Sequence, residues 1–315
     1  MGRRRIWALV GVLFGGILLF YRLRPGLQAD RREGFHTLYV GSSPFLHTEI
    51  LPQVGDRFLS REDEVFEVVA REGQKAHLVS RGLARELYGP LDASALPLDP
   101  LELPVLSLRD LVAAFPRTAP KNRLVVIYHS HTDESYIPAR GTESEERGGA
   151  ILKVGEELKH ALLKEGFTHV VHDLTNFWPH DEGSYARSRR AVLEYLQEAP
   201  LFLFDLHRDA GPSAEVYRTS WNGRTLSQIM MVVGKGNPFY ADNLTFARSL
   251  MSRTDALYPD LIKGIYLGEG TYNQDLSPGA LLLEVGNQLT PLEEARAAMD
   301  LLARGLSRWV EGLVP

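Results

Sequence analysis

The chain has 315 residues, 44% hydrophobic and 24% charged, which is enough for one good-sized globular domain with appendages. Its net charge of -5 and the absence of a strong basic patch argue against a nucleic-acid partner. The sequence contains no cysteine, so disulfides are excluded and any metal site must use histidine and carboxylate ligands.

The amino terminus contains an uncharged apolar run at residues 6–21, preceded by three arginines and followed by Arg22 and Arg24. The run is slightly shorter than the usual span of ~20 residues, but the flanking charges, Trp7 and Tyr21 suit membrane interfaces. We predict a transmembrane anchor within residues 1–24, hence a single-pass cell-membrane protein with a cytoplasmic amino terminus and an extracytoplasmic main domain. A cleaved signal peptide is the alternative.

Three segments separate this anchor from the main domain. Residues 25–35 are polar and predict a tether, whereas residues 36–88 contain short β-like segments and turn signals that predict a small β-rich module with a structural or contact role. Residues 89–122 contain six prolines, which indicate a semi-rigid linker interrupted by one short amphipathic helix near residues 106–115.

Residues 123–315 alternate between apolar runs and amphipathic stretches. The strands are predicted at residues 124–128, 167–171, 201–204, 229–233, 264–267 and 280–286. The helices are predicted at residues 151–165, 185–198, 243–254 and 291–311. This alternation is typical of an α/β fold with a mostly parallel central sheet flanked by helices.

The apolar strand at residues 124–128 runs directly into His129, His131, Asp133 and Glu134. Polar ligands at the carboxyl end of a strand are typical of sites in open α/β sheets. His131 and Glu134 have the spacing His-x-x-Glu, so a short loop lets both side chains converge on one divalent ion. Imidazole with carboxylate suits Zn²⁺. A solvated junction between strand and loop is the alternative.

The same pattern recurs twice along the chain. Residues 201–204 form an apolar strand that runs into Asp205, His207, Arg208 and Asp209, and His207 is the expected third ligand unless it is structural. Glu284 lies within the apolar strand at residues 280–286, where an ionised carboxylate is costly unless it is paired or beside a cation. It is the expected general base, with a salt-bridged glutamate as the alternative.

The loop at residues 272–277 precedes the strand that contains Glu284. It is polar and aromatic, and Tyr272 and Asn273 are therefore expected to contact substrate or only to turn the chain.

Several ordered motifs from residue 124 onward resemble the stage II sporulation protein P family. They are Ile127 to Tyr136, Val154-Gly155, Asp205 to Asp209, Val233-Gly234 with Asn237-Pro238, Tyr272 to Ser277 and Leu281 to Gly286. The resemblance implies a zinc-dependent N-acetylmuramoyl-L-alanine amidase, similar to cell-wall amidases, with a further activity on peptide cross-links. Peptidoglycan is the implied substrate, and a lytic glycan hydrolase is a candidate partner.

The family motif His-x-His-x-x-Glu falls on His129, His131 and Glu134, its second histidine on His207 and its late glutamate on Glu284. The resemblance leaves open which of His129 and His131 binds the metal. The spacing to Glu134 favours His131, which leaves His129 as a supporting or substrate-contacting residue. Ser130 stands where the family often has threonine.

Arg208 is the candidate to stabilise an oxyanion or hold a substrate carboxylate, and Asp205 and Asp209 are expected to support the ligands or contact substrate. Two other functions remain open at this point. One is a zinc carboxypeptidase or endopeptidase acting on the stem peptide, and the other is a non-catalytic peptidoglycan-binding anchor.

Overall fold

The computed structural model describes residues 34–89 and 120–312, which form one eleven-stranded sheet with helices packed against it. Most of the predicted tether, the helix near residues 106–115 and most of the linker lie outside these residues. The strands of the first range are β1 (His36–Val40), β2 (Ser43–Thr48), β3 (Arg57–Ser60), β4 (Glu64–Glu72) and β5 (Lys75–Leu83), followed by the short helix α1 (Ala84–Leu87).

The second range contains eight strands and five helices. The strands are β6 (Val125–Tyr128), β7 (Val170–His172), β8 (Phe202–Asp209), β9 (Arg218–Trp221), β10 (Arg224–Ser227), β11 (Ile229–Gly234), β12 (Ile262–Gly268) and β13 (Ala280–Asn287). The helices are α2 (Ile137–Arg140), α3 (Ile151–Lys164), α4 (Ser184–Tyr195), α5 (Tyr240–Leu257) and α6 (Leu292–Glu311).

The sheet has the strand order β2-β1-β5-β4-β3-β12-β11-β13-β8-β6-β7. Strands β7, β6, β8 and β13 are mutually parallel neighbours, whereas β11 pairs antiparallel with β13. The α/β prediction therefore describes the region after residue 120 well. The hairpin of β9 and β10, which forms a separate two-stranded sheet, was not predicted.

The five strands of the β-rich region extend the same sheet. Strand β3 pairs antiparallel with β12, from Gly264 opposite Ser60 to Leu267 opposite Arg57. The join is tight, because a Cβ atom placed on Gly264 would lie 2.3 Å from Cζ of Phe58. The main-chain pairing therefore continues without a break from the predicted module into the α/β region.

The core lies on both faces of the sheet, because successive strand residues point to opposite faces. Val125 and Ile127 of β6 pack in the cluster that contains α3, α5 and α6, whereas Val126 and Tyr128 pack in the cluster that contains Val192 of α4. We call these the α3 face and the α4 face. This alternation of side chains between the two faces determines which residues of neighbouring strands can contact one another.

The predicted fold and localisation both included a membrane-spanning helix, and this part of each prediction is corrected. The predicted span at residues 6–21 lies outside the described residues. Over residues 34–89 and 120–312, no helix is both long enough and apolar enough to cross a bilayer. The longest of them, α6, has 20 residues but begins with Glu293 and Glu294 in its first turn.

Candidate functional site

Three side chains meet in a buried cluster, two from the loop after β6 and one from the neighbouring strand β8. Ligand atoms of His131, Glu134 and His207 all lie within 4.8 Å of one another. Glu134 Oε1 lies 3.2 Å from Nδ1 of His131 and 3.1 Å from Nδ1 of His207. Each of the three residues is at most 5% exposed. The three predicted metal ligands are thus brought together, and we call them the metal-ligand cluster.

The alternation of strand residues places Glu284 beside this cluster. Asp205 and His207 of β8 point to the α4 face because Phe204 and Leu206 pack on the α3 face. On the neighbouring strand β13, Leu283 and Val285 also pack on the α3 face, so Glu284 points to the α4 face. Glu284 lies directly opposite His207 in the parallel register, and both residues line the same cleft.

His207 is held at both ring nitrogens. Its Nε2 lies 2.9 Å from Oδ1 of Asp205 and 3.0 Å from Oγ of Ser130, while its Nδ1 faces Glu134. Burial alone would lower the pKa of His207, but the negative charges of Asp205 and Glu134 outweigh it and hold the pKa well above its usual value. The position therefore favours positive charge.

Glu134 is the central acceptor of the cluster. Besides its contacts to the two histidines, its Oε2 accepts a hydrogen bond of 2.9 Å from the main-chain N–H of Arg208. Burial would raise the pKa of Glu134, but the charge of His207 and hydrogen bonds from His131 and His207 hold it well below its usual value. The carboxylate is therefore ionised and already directed toward the two imidazoles.

Glu284 is in the opposite electrostatic situation. Burial, and next the charge of Asp209, raise the pKa of Glu284 well above its usual value. Its Oε2 is buried and has no hydrogen-bond partner among the described residues. An unpaired buried carboxyl oxygen is costly, so its position next to the metal-ligand cluster favours a cation or another polar partner nearby.

His129 points away from the cleft. His129 directly follows β6 and lies on the α3 face. Its Nδ1 lies 2.8 Å from the carbonyl oxygen of Leu206, and its Nε2 lies 2.8 Å from Nε2 of His172. Burial, and next the charge of His172, lower the pKa of His129 to about 3, so the ring is neutral. The sequence did not decide whether His129 or His131 is the metal ligand. In the structure His131 lies in the cluster, whereas His129 contacts β8 on the opposite face of the sheet.

Arg208 lines the cleft, and each of the three nitrogens of its guanidinium donates a hydrogen bond. It donates to Glu49 Oε2 (2.5 Å) and to the carbonyl oxygens of Ser135 (3.3 Å) and Glu143 (3.1 Å). Glu49 follows strand β2 in the β-rich region and also lines the cleft. Nothing in the sequence marks Glu49, because one acidic residue after a short strand is ordinary.

The other predicted site residues divide between the cleft and its supports. Tyr272 lines the cleft, whereas the Asn273 amide donates to the carbonyl oxygen of Tyr185 (3.2 Å) and to Ser188 Oγ (3.1 Å). Asp209 accepts hydrogen bonds from Thr48 Oγ1 and Tyr217 O–H, and burial raises its pKa to about 7. Asn273 and Asp209 therefore fix neighbouring segments.

Two aromatic residues near the cluster were also missed as site residues. His180 stacks on His131 with ring centroids 3.5 Å apart, and its Nδ1 lies 3.1 Å from Oδ1 of Asp133. Tyr185, predicted only as the start of α4, lines the cleft and meets His131 edge to face at 5.2 Å. Both come from the segment after β7, whose sequence has no metal-ligand spacing.

The cluster is chemically suited to a divalent metal ion. Two imidazoles and one carboxylate form a ligand set that suits Zn²⁺. The second ring nitrogen of His207 pairs with Asp205, which is the arrangement that orients metal-bound histidines in many proteins. The negative charges that raise the pKa of His207 also favour a cation in the metal-ligand cluster. The unpaired Oε2 of Glu284 beside the cluster favours a cation as well.

The described fold and site define the chain as an α/β protein with a buried His-Glu-His cluster at the carboxyl ends of parallel strands. The family model of stage II sporulation protein P (SpoIIP) matches residues 61–307. The chain therefore belongs to the SpoIIP family, which confirms the resemblance seen in its motifs.

Comparison with individual proteins gives more distant matches. Stage II sporulation protein P of Bacillus subtilis (strain 168) is 28% identical over 205 residues, and the match covers 59% of this chain and 51% of the relative. The chain thus spans about half the length of that relative.

Among solved structures, an N-acetylmuramoyl-L-alanine amidase from Clostridium difficile 630 is 19% identical, with 61% of this chain and 96% of that chain covered at a TM-score of 0.39. The CwlD amidase from Clostridioides difficile, in complex with the GerS lipoprotein, is 11% identical, with 61% and 98% covered at a TM-score of 0.42.

Proposed function

We propose that this chain is a peptidoglycan hydrolase that cleaves the amide bond between N-acetylmuramic acid and the L-alanine of the stem peptide. The observation on which this depends is the convergence of His131, Glu134 and His207 in one cleft, with Glu284 beside them. Membership of the SpoIIP family supports the choice of substrate, because the motifs that define the resemblance include all four of these residues.

The cofactor we propose is Zn²⁺, held by His131, Glu134 and His207. When bound, it would polarise the scissile carbonyl and lower the pKa of the attacking water. Asp205 would keep the imidazole of His207 oriented through its contact with Nε2, so that Nδ1 faces the ion.

Glu284 is the proposed general base. It accepts a proton from the attacking water and returns it to the nitrogen of the leaving L-alanine, so one carboxyl group serves both steps. In the protein as described, burial and neighbouring acids raise the pKa of Glu284. A cation in the cluster would lower this pKa again and keep the group ionised near neutral pH.

The proposal predicts that Glu284→Gln abolishes hydrolysis and leaves the fold intact. Removing a general base typically costs about 10²- to 10⁴-fold in rate, and glutamine preserves the size of the side chain. The measurement is release of stem peptides from purified peptidoglycan, followed by mass spectrometry of the products. Glu294→Gln is the matched control, because Glu294 of α6 pairs with Arg218 of β9 and does not line the cleft.

The same products separate the amidase from its enzymatic alternative. An amidase releases intact stem peptides from muramic acid, whereas a carboxypeptidase or endopeptidase shortens or separates peptides that stay attached to the glycan. If Glu284→Gln digests peptidoglycan at the rate of the unaltered chain, Glu284 is not the base. If only shortened stems accumulate, the amidase proposal is wrong.

A further inference from the structure

Glu49 and Arg208 form a buried ion pair inside the cleft. Nη1 of Arg208 lies 2.5 Å from Oε2 of Glu49, and both residues line the cleft together with the metal-ligand cluster and Glu284. The other two nitrogens of the guanidinium, Nε and Nη2, donate to the carbonyl oxygens of Ser135 and Glu143. These carbonyls hold the guanidinium in place and leave Nη1 directed at a carboxylate.

The main chain of Glu49 is fixed, whereas its side chain lies at the edge of the cleft. Its N–H donates to Oδ1 of Asp209, which also accepts a hydrogen bond from Thr48 Oγ1 (3.1 Å). The side chain of Glu49 is 16% exposed, but that of Arg208 is only 3% exposed. Rotation about the side-chain bonds of Glu49 can therefore uncover Arg208 without moving strand β2.

The charge around the guanidinium favours exchange of one carboxylate for another. Glu49, Glu134 and Glu284 each act electrostatically on Arg208, so its surroundings are already rich in negative charge. An additional anion beside Glu49 would be repelled, and a buried arginine left without a partner would be costly. An anion that takes the place of Glu49 avoids both costs and keeps the charge-assisted hydrogen bond.

We propose that Arg208 is a carboxylate-binding subsite of the cleft, and that Glu49 occupies it until a carboxylate of an acidic peptide displaces it. The class of ligand rests on the proposed function, because peptidoglycan stem peptides contain free carboxylates. In this arrangement the β-rich region contributes directly to ligand selection, through one side chain at the end of β2.

The test compares two peptides that differ in one group. Both are stem tripeptides without muramic acid, and their second residue has either a free α-carboxylate or the corresponding carboxamide. Their dissociation constants are measured by calorimetry on the full chain supplied with Zn²⁺. Neither peptide contains the bond that an amidase cleaves, so a failure of the proposed hydrolysis and a failure of this binding model give different results.

Glu49→Gln should bind the carboxylate peptide about tenfold more tightly than the unaltered chain, because the internal competitor has lost its charge. Binding of the carboxamide peptide should change by less than about twofold. Glu157→Gln is the matched control, since Glu157 forms an ion pair of the same 2.5 Å length with Arg296 outside the cleft. The control should bind both peptides like the unaltered chain.

An unchanged or weaker affinity of Glu49→Gln for the carboxylate peptide would overturn the proposal, and so would an equal gain for both peptides. A crystal structure of the unaltered chain with the carboxylate peptide tests it without any substitution. We expect the peptide carboxylate on Nη1 of Arg208 and Glu49 rotated outward. A complex in which Glu49 still holds Arg208 contradicts the subsite.

Discussion

Asp205 Oδ1 lies between two donors, the main-chain N–H of Ser130 at 2.7 Å and Nε2 of His207 at 2.9 Å. It thus joins the start of the loop after β6 to the proposed ligand on β8. Asp205→Asn should weaken zinc binding about 10- to 100-fold, because the uncharged amide orients and polarises the imidazole less well. Competition with a chromophoric chelator measures the affinity.

The matched control for this substitution is Asp56→Asn. Asp56 is equally buried, accepts hydrogen bonds from Gln53 and Tyr266, and does not line the cleft. The Asp56→Asn substitution should leave the zinc affinity unchanged. If Asp56→Asn weakens zinc binding as much as Asp205→Asn does, the effect is a general loss of stability and Asp205 has no specific role at His207.

The sequence could predict the site residues that interrupt apolar strands. It could not predict site residues that other parts of the chain contribute through tertiary contacts. His131, Glu134, His207 and Glu284 were recognisable because a charged or imidazole group within or just after a buried strand needs a reason. Glu49 reaches the cleft only through the pairing of distant strands. That contact depends on tertiary structure and leaves no periodicity in the sequence.

At the scale of single elements, helix α3 packs against the back of the site through a glycine. A Cβ atom placed on Gly155 would lie 2.4 Å from Nε2 of His172 and 2.7 Å from Nε2 of His129. Gly155→Ala should therefore displace both rings and lower the free energy of unfolding by about 1–3 kcal/mol, despite the better helix propensity of alanine. Denaturant unfolding measures the difference.

Lys153→Ala on the same helix provides the comparison for Gly155→Ala. Lys153 is exposed, so the substitution should change the free energy of unfolding by no more than about 0.5 kcal/mol. An unchanged unfolding midpoint for Gly155→Ala would mean that α3 can shift to admit a methyl group. In that case the contact between His129 and His172 does not limit how closely the helix packs.

The boundaries of most elements after residue 120 agree with the hydrophobic periodicity, but strand β8 differs in an informative way. The apolar pattern ends at Phe204, whereas the strand continues to Asp209. Its pairing with β13 continues past the apolar run, with Glu284 opposite His207. Main-chain hydrogen bonds therefore maintain the strand where the side chains have changed from core residues to site residues, which hydropathy alone cannot show.

The same limit applies to the joining of the two described ranges. Antiparallel pairing of β3 with β12 merges the strands of the β-rich region with the α/β sheet. Edge strands pair through main-chain groups that every residue has, so the sequence contains no direct signal for such a pairing. The predicted domain boundary within residues 89–122 stays a prediction, because most of that segment lies outside the described residues.

For the whole molecule, a metal ion in the proposed cluster would connect the loop after β6 to the neighbouring strand β8, near the β7 edge of the sheet. A ligand that binds only the folded state stabilises it by about 2.7 kcal/mol at a hundredfold excess over its dissociation constant. For a chain of this size we expect Zn²⁺ to raise the unfolding temperature by roughly 4–5 °C, and chelation to reverse the rise. Differential scanning calorimetry measures both.

His131→Ala separates binding at the cluster from unspecific effects of zinc. His131 contributes one of the three proposed ligands and lies after the end of β6, so its removal should cancel most of the thermal shift without disturbing strand pairing. His160→Ala is the control, because His160 is an exposed histidine on α3 and should leave the shift intact. An equal shift in His131→Ala and the unaltered chain would place the bound zinc elsewhere and remove the basis for the proposed hydrolase mechanism.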